Sequence, residues 1–100
     1  MTETVKVIIP AYNEAKSIGK VIKALPSFVN EIIVVDNCST DETAIIAQKL
    51  EATVLKEIKS GYGNACLKGV NYINEQKTRT DIVVFIDGDY SDYPEELTKI

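Results

Sequence analysis

The segment VVFIDGDYSD, residues 83–92, places Asp87, Asp89 and Asp92 at the end of an apolar run. Asp87 and Asp89 are spaced i, i+2, so an extended backbone sends both side chains to the same side. Gly88 between them lets a ligand or another backbone approach closely. Two adjacent carboxylates repel, and one takes up a proton unless a cation lies between them. Mg²⁺ and Mn²⁺ prefer oxygen ligands and commonly bridge one or two carboxylates to phosphates. The pair therefore points to a divalent metal that carries a diphosphate. An acidic turn into a following helix, capped by Asp92, is the competing account, because Asp and Gly are ordinary turn residues.

Other polar clusters follow apolar runs in the same way. In VVDNCSTD, Asp36 closes a run and Asn37 begins the turn. A carboxylate there can accept hydrogen bonds from a ribose hydroxyl or a base imide, or it can make an Asx-type turn toward a Ser39 helix cap. PAYNEA follows the first run, where a dinucleotide fingerprint would carry G-x-G-x-x-G. Within it, Tyr12 offers an aromatic wall and Glu14 a carboxylate. KSGYGNA, residues 59–65, sets Gly61 and Gly63 before a helix whose first amides could meet an anion beside Lys59. Two isolated glycines also fit a plain loop-to-helix connection. The chain has no histidine, so neither a Ser-His nor a Cys-His pair can form within it. Cys38 and Cys66 cannot fill a zinc site by themselves and are expected as reduced thiols.

These clusters need elements to hold them. VKVIIP (5–10), EIIVVD (31–36) and DIVVFID (81–87) are β-branched and continuous rather than alternating. That pattern suits strands buried on both faces of a parallel sheet. ATVLKEI (52–58) is weaker and reads as a fourth strand near an edge. Ile18, Val21, Ile22 and Leu25 mark one helix face, ended by Pro26. STDE predicts a second helix with a Ser39–Glu42 capping box and with Ile45, Ile46 and Leu50 toward the sheet. A third helix is expected from about Asn64 to Glu75, with Cys66, Val70 and Ile73 on one face, and a last one near Pro94. Strand and helix alternate throughout, which predicts an α/β fold: an open, mainly parallel sheet with helices on both faces. In such sheets ligands bind outside the carboxyl ends of the strands, where these polar clusters fall.

Composition sets outer bounds. One hundred residues, 45% apolar and 26% charged, suit one soluble globular domain. A net charge of −4 without a basic patch argues against nucleic acid as a partner. No apolar run is long enough to span a membrane.

Together, VIIPAYNEAKSIGKVI, EIIVVDNCSTDETAIIA, GYGNACLKGV and DIVVFIDGDYSDYPEEL resemble the N-terminal half of family 2 glycosyltransferases, nearest to the dolichol-phosphate-mannose-synthase-like enzymes. The resemblance covers about residues 5–100. It implies the nucleotide-binding half of a GT-A fold, truncated at its C-terminus, with the catalytic base and acceptor site beyond Ile100. It implies that Pro10, Ala11, Tyr12 and Glu14 line the nucleoside pocket and that Asp36 binds base or ribose. Asp87 would lie near ribose and metal, and Asp89 would bind Mg²⁺ or Mn²⁺ on the diphosphate. The loop with Gly61, Gly63, Asn64 and Ala65 would shape the donor pocket. Gly88 replaces the Ala of the family's usual D-A-D motif. The implied activity is inverting transfer from a UDP- or GDP-sugar to a hydroxyl or a polyprenyl phosphate. The implied location is cytoplasmic, in the full-length protein at the cytoplasmic membrane face. A non-catalytic nucleotide-binding module is the alternative. A sugar-phosphate nucleotidyltransferase fits less well, since PAYNEA has neither Gly nor Arg. An open sheet edge would favour self-association.

Overall fold

A computed structural model describes residues 3–90 of the chain. Four strands, β1 (Val5–Ala11), β2 (Glu31–Asp36), β3 (Thr53–Lys56) and β4 (Ile82–Phe85), form one parallel sheet in the order β3-β2-β1-β4. Helices α1 (Ile18–Ala24), α2 (Thr43–Lys49) and α3 (Tyr62–Glu75) alternate with them. This is the expected α/β architecture, and the weakest apolar run is indeed an edge strand, β3.

Strand order explains the layering. The β1–α1–β2 and β2–α2–β3 connections step one way across the sheet, and β3–α3–β4 steps back past β2 and β1 to the other edge. Right-handed crossovers running in opposite directions put their helices on opposite faces. Accordingly, α1 and α2 pack on Val7, Ile9 and Ala11 of β1 and on Val34 of β2. α3 packs on the alternate residues Ile8, Ile33 and Val35. β1 therefore lies between two helical layers and is buried along its whole length, which is why its apolar run is unbroken. α3 comes so close that a Cβ added at Gly69 would lie 2.8 Å from Ile8 Cγ2 and 2.9 Å from Cδ1.

β4 departs from the expectation of burial on both faces. Val83 and Phe85 are 39% and 43% exposed, whereas Ile82 and Val84 are partly buried. The cause is that α3 covers β1 and β2, and no described helix covers β4 on that side.

The start of α2 also differs from expectation. The Ser39–Glu42 box does not form: the helix begins at Thr43, too late for Ser39 to reach its first turn. Asp41 takes the capping role, accepting from the Thr43 amide at 3.0 Å and from the Thr43 hydroxyl. The Ser39 hydroxyl accepts the Asn13 amide instead. Ile46 and Leu50 pack toward the core, but Ile45 is 50% exposed, because Thr43 and Ala47 form the buried stripe. α3 begins at Tyr62, two residues ahead of the expected start, since Gly61 makes the turn with a φ of 123°. Gly63 therefore falls inside the first helical turn. The helix expected near Pro94 and the Asp92 cap lie outside the described residues.

Lys6, inside β1, is only 4% exposed. Its ammonium pairs with Glu31 Oε1 at 3.3 Å and donates to Gln76 Oε1 at 2.5 Å. Glu31 also accepts from the Tyr72 and Thr53 hydroxyls at 2.6 and 2.8 Å. Burial pushes the Glu31 carboxyl up, but the hydrogen bonds from Tyr72, Thr53, Gln76 and Lys6 outweigh it and hold the group below its usual value. This network closes the amino end of the sheet, away from the polar clusters. Cys38 and Cys66 are free thiols. No described helix is long and apolar enough to cross a membrane.

Candidate functional site

The connections leaving β1 and arriving at β4 run on opposite faces, so a crevice opens between the carboxyl ends of these two neighbouring strands. Crevices of this kind are where open α/β sheets bind ligands. A cavity of about 250 Å³ lies there. The exit of β1 lines it with Pro10, Ala11, Tyr12 and Glu14, and the turn after β4 with Asp87, Gly88 and Asp89. Asn37, just after β2, and Tyr62 and Ala65 of α3 complete the wall.

The β1–α1 loop is fixed to the β2–α2 loop by successive amides. Those of Asn13, Glu14 and Ala15 donate to Ser39 Oγ, Thr43 Oγ1 and Asp41 Oδ2 at 2.9, 3.0 and 3.1 Å. In return the Thr40 amide donates to Asn13 Oδ1 at 2.8 Å. Asn13 takes a φ of 53°, a left-handed conformation that Asn tolerates better than most residues. Asn37 performs the same service for the loop before α3. Its amide nitrogen donates to the Glu57 and Lys59 carbonyls at 2.9 and 2.8 Å, and its Oδ1 accepts the Gly61 amide at 2.9 Å. Its backbone N–H donates to the Ala11 carbonyl. One buried side chain thus ties the loop after β2 to the loop before α3 at the cavity, while its backbone holds the end of β1.

After β4 the backbone does not stay extended: it turns at Gly88 and Asp89, and Tyr90 has a φ of 69°. Asp87 and Asp89 nevertheless face the same cavity. Gly88 is packed between them, and a Cβ there would meet Glu14 Cγ at 3.3 Å, Ala11 Cβ at 3.5 Å and the Pro10 carbonyl at 3.5 Å. An Ala needs only a small shift of the Glu14 side chain, so the Gly-for-Ala departure is sterically mild. The Ser17 hydroxyl donates to the Gly88 carbonyl at 2.7 Å.

Negative charge accumulates at this point. Burial raises the Glu14 carboxyl above its ordinary range, and the charges of Asp89, Asp41 and Asp87 raise it further. Such a site gains from a cation. Among the described residues, no group of three or more His, Cys, Asp or Glu side chains could hold a metal ion alone. Two carboxylates with phosphate oxygens completing the shell are, however, a normal arrangement for Mg²⁺. The donor set, all oxygen and two carboxylates strong, fits a hard divalent ion that arrives with a diphosphate.

Pro10, Ala11, Tyr12, Glu14, Ala65, Asp87 and Asp89, all expected at the site from sequence, therefore meet in one cavity, whereas the neighbouring Asn64 is not part of its lining. Asp36 does not line it. It is 6% exposed, and its Oδ1 accepts the Ser39 amide, three residues on, at 3.2 Å, so the carboxylate is engaged within its own turn. Gly61 and Gly63 also lie outside the lining, and the Gly61 amide is already bonded to Asn37. Lys59 is exposed and outside the lining as well. Asn37 and Tyr62 join the site although their sequence context does not mark them as site residues. Tyr62 carried a weak signal as an aromatic between two glycines. Nothing in the order of residues shows that the Asn37 amide bridges two loops.

A family model described as Glycosyl transferase family 2 matches residues 6–100. An uncharacterized glycosyltransferase of Mycobacterium tuberculosis is 38% identical over 98 residues, 98% of this chain and 42% of that protein. The 4,4'-diaponeurosporenoate glycosyltransferase of Staphylococcus haemolyticus is 38% identical over 97 residues, 88% of this chain and 24% of its own length. Glucosyl-3-phosphoglycerate synthase from M. tuberculosis, solved with Mn²⁺, uridine diphosphate and glucosyl-3-phosphoglycerate, superimposes with a TM-score of 0.73 at 34% identity. That match covers 86% of this chain and 33% of the other. The same enzyme has been solved with Mg²⁺ and uridine diphosphate. The chain thus spans less than half the length of each of these relatives.

Proposed function

Because the chain belongs to glycosyl transferase family 2, we propose that it forms the donor-binding part of an inverting glycosyltransferase that takes a nucleoside-diphosphate sugar. The observation that carries this reading is the meeting of Asp87, Asp89 and Glu14 in one cavity at the carboxyl ends of β1 and β4. Asp87 and Asp89 are the residues that would hold Mg²⁺ or Mn²⁺. When bound, such an ion supplies positive charge to the diphosphate as it leaves the sugar. Tyr12 and Tyr62, 61% and 59% exposed, offer aromatic surface to the nucleoside at the cavity mouth. Pro10 and Ala11 give it a floor of buried backbone. Asp36 acts through the shape of the turn after β2.

Uridine diphosphate is the better supported nucleotide, because a 34% identical structure holds it beside Mn²⁺. The acceptor is proposed only as a class, a hydroxyl or a phosphate oxygen such as that of a polyprenyl phosphate. The named relatives differ in this respect, one being a diaponeurosporenoate glycosyltransferase and another a glucosyl-3-phosphoglycerate synthase.

A thermal-shift panel of UDP- and GDP-sugars, with and without Mn²⁺, tests the reading. A ligand that binds only the folded state stabilises it by about 2.7 kcal/mol at a hundredfold excess over Kd. The expected result is a rise in melting temperature with a UDP-sugar that is larger when Mn²⁺ is present. Absence of a shift with every nucleotide sugar would contradict the proposal.

A further inference from the structure

Ser17 occupies the position before α1, where a serine ordinarily caps the helix by accepting an amide from its first turn. Here it makes no such bond. Its hydroxyl instead donates to the carbonyl of Gly88, 71 residues away in sequence, at 2.7 Å. The other acceptor in reach, the Glu14 carbonyl, is at 3.5 Å, the weak limit of such bonds. A good capping residue has given up its local partner for a distant one, and departures of this kind concentrate at functional sites.

The distant partner is the residue between Asp87 and Asp89. Gly88 has no side chain to restrict its backbone, so a turn built on it is intrinsically loose. Two constraints tighten it. One side is packed against Glu14 Cγ, Ala11 Cβ and the Pro10 carbonyl. The other is held through its carbonyl by Ser17. Fixing the Gly88 peptide fixes the relative placement of the carboxylates on either side, and ordering a site before binding improves affinity by lowering the entropy lost on binding.

We propose that Ser17 is a positioning residue for the acidic turn, holding Asp87 and Asp89 ready for a divalent cation and diphosphate; this rests on the donor-site reading above. The test is calorimetric titration of the full chain with uridine diphosphate, with and without Mn²⁺, for the wild type, Ser17→Ala and Ser17→Thr. Loss of one ordinary hydrogen bond should weaken Mn²⁺-dependent binding roughly three- to tenfold in Ser17→Ala. Binding without Mn²⁺ should change little, and Ser17→Thr, which keeps the hydroxyl, should restore the wild-type value. If Ser17→Ala does not fold, Ser17→Gly replaces it, since Gly starts a helix nearly as well as Ser. Wild-type Mn²⁺-dependent affinity in the variant lacking the hydroxyl would overturn the proposal and leave the donor-site reading standing. An equal loss with and without Mn²⁺ would overturn it too, by showing a general effect on the pocket. A wild-type chain whose uridine diphosphate affinity ignores Mn²⁺ would overturn the donor-site reading and this proposal with it.

Discussion

Two carboxyl groups at opposite ends of the sheet show how surroundings decide the state of a side chain. Glu14 sits among Asp87, Asp89 and Asp41, and both burial and like charge raise its pKa. Glu31 is also sheltered, but four side chains donate to it, and its pKa falls below the ordinary 4.5. A group lowered in the folded state stabilises the fold above its unfolded pKa, and that stabilisation is lost as pH falls through the folded value. Glu31→Gln should therefore lower stability at neutral pH by about 1.5–3 kcal/mol, the range for a hydrogen bond to a charged group. The difference from the wild type should close as the pH drops below about 4.5. Urea unfolding at pH 7 and pH 3.5 measures both. An equal deficit at the two pH values would mean that lost shape, and not lost charge, explains the variant.

Helices and strands here were more legible in the sequence than the ends that join them. Continuous apolar runs located the four strands and apolar spacing the faces of α1 and α3, because burial recurs along the chain there, while α2 was placed from the STDE segment. The α2 capping box does not form because the helix begins only at Thr43, and Ser39 serves the distant Asn13 amide instead, a partner that leaves no local trace in the sequence. Gly69 is a similar case: an isolated glycine in an amphipathic helix gives no sign of what faces it. The structure shows that it lets α3 approach Ile8. Replacing Gly by Ala in a helix gains about 1 kcal/mol of propensity. Forcing a methyl into a packed core costs about 1–3 kcal/mol. Ile8 is fully buried in a central strand and cannot move aside, so the clash should win. Gly69→Ala is expected to lower the melting temperature by several degrees, at roughly 4–8 °C per kcal/mol for a chain this size. Combining it with Ile8→Ala should cost less than the sum of the two single changes, as contacting residues do not add. Strict additivity by thermal melts would refute the contact.

At the scale of the whole molecule, the strand order places the site. Polar clusters after successive strands were visible in sequence, and the reversal in strand order decides which of them share a crevice. It brings PAYNEA and DGD together between β1 and β4, while Asp36 remains in its own turn. The same order leaves Val83 and Phe85 exposed on an edge strand of the described sheet. Unpaired edges with apolar side chains promote association, and lysine blocks it. Sedimentation should show concentration-dependent self-association of the chain that Phe85→Lys reduces; a wild-type monomer at all concentrations would contradict this.

In the donor-site proposal, Asp87 and Asp89 join a divalent ion to a nucleoside diphosphate at the β1–β4 crevice. Calorimetric titration of uridine diphosphate into the wild type and Asp89→Ala, with Mn²⁺ present and absent, tests it most directly. Binding should be tighter with Mn²⁺ in the wild type. That gain should be lost in Asp89→Ala, by about tenfold or more, with the ligand-free melting temperature unchanged. Undiminished Mn²⁺-dependent affinity in Asp89→Ala would contradict it.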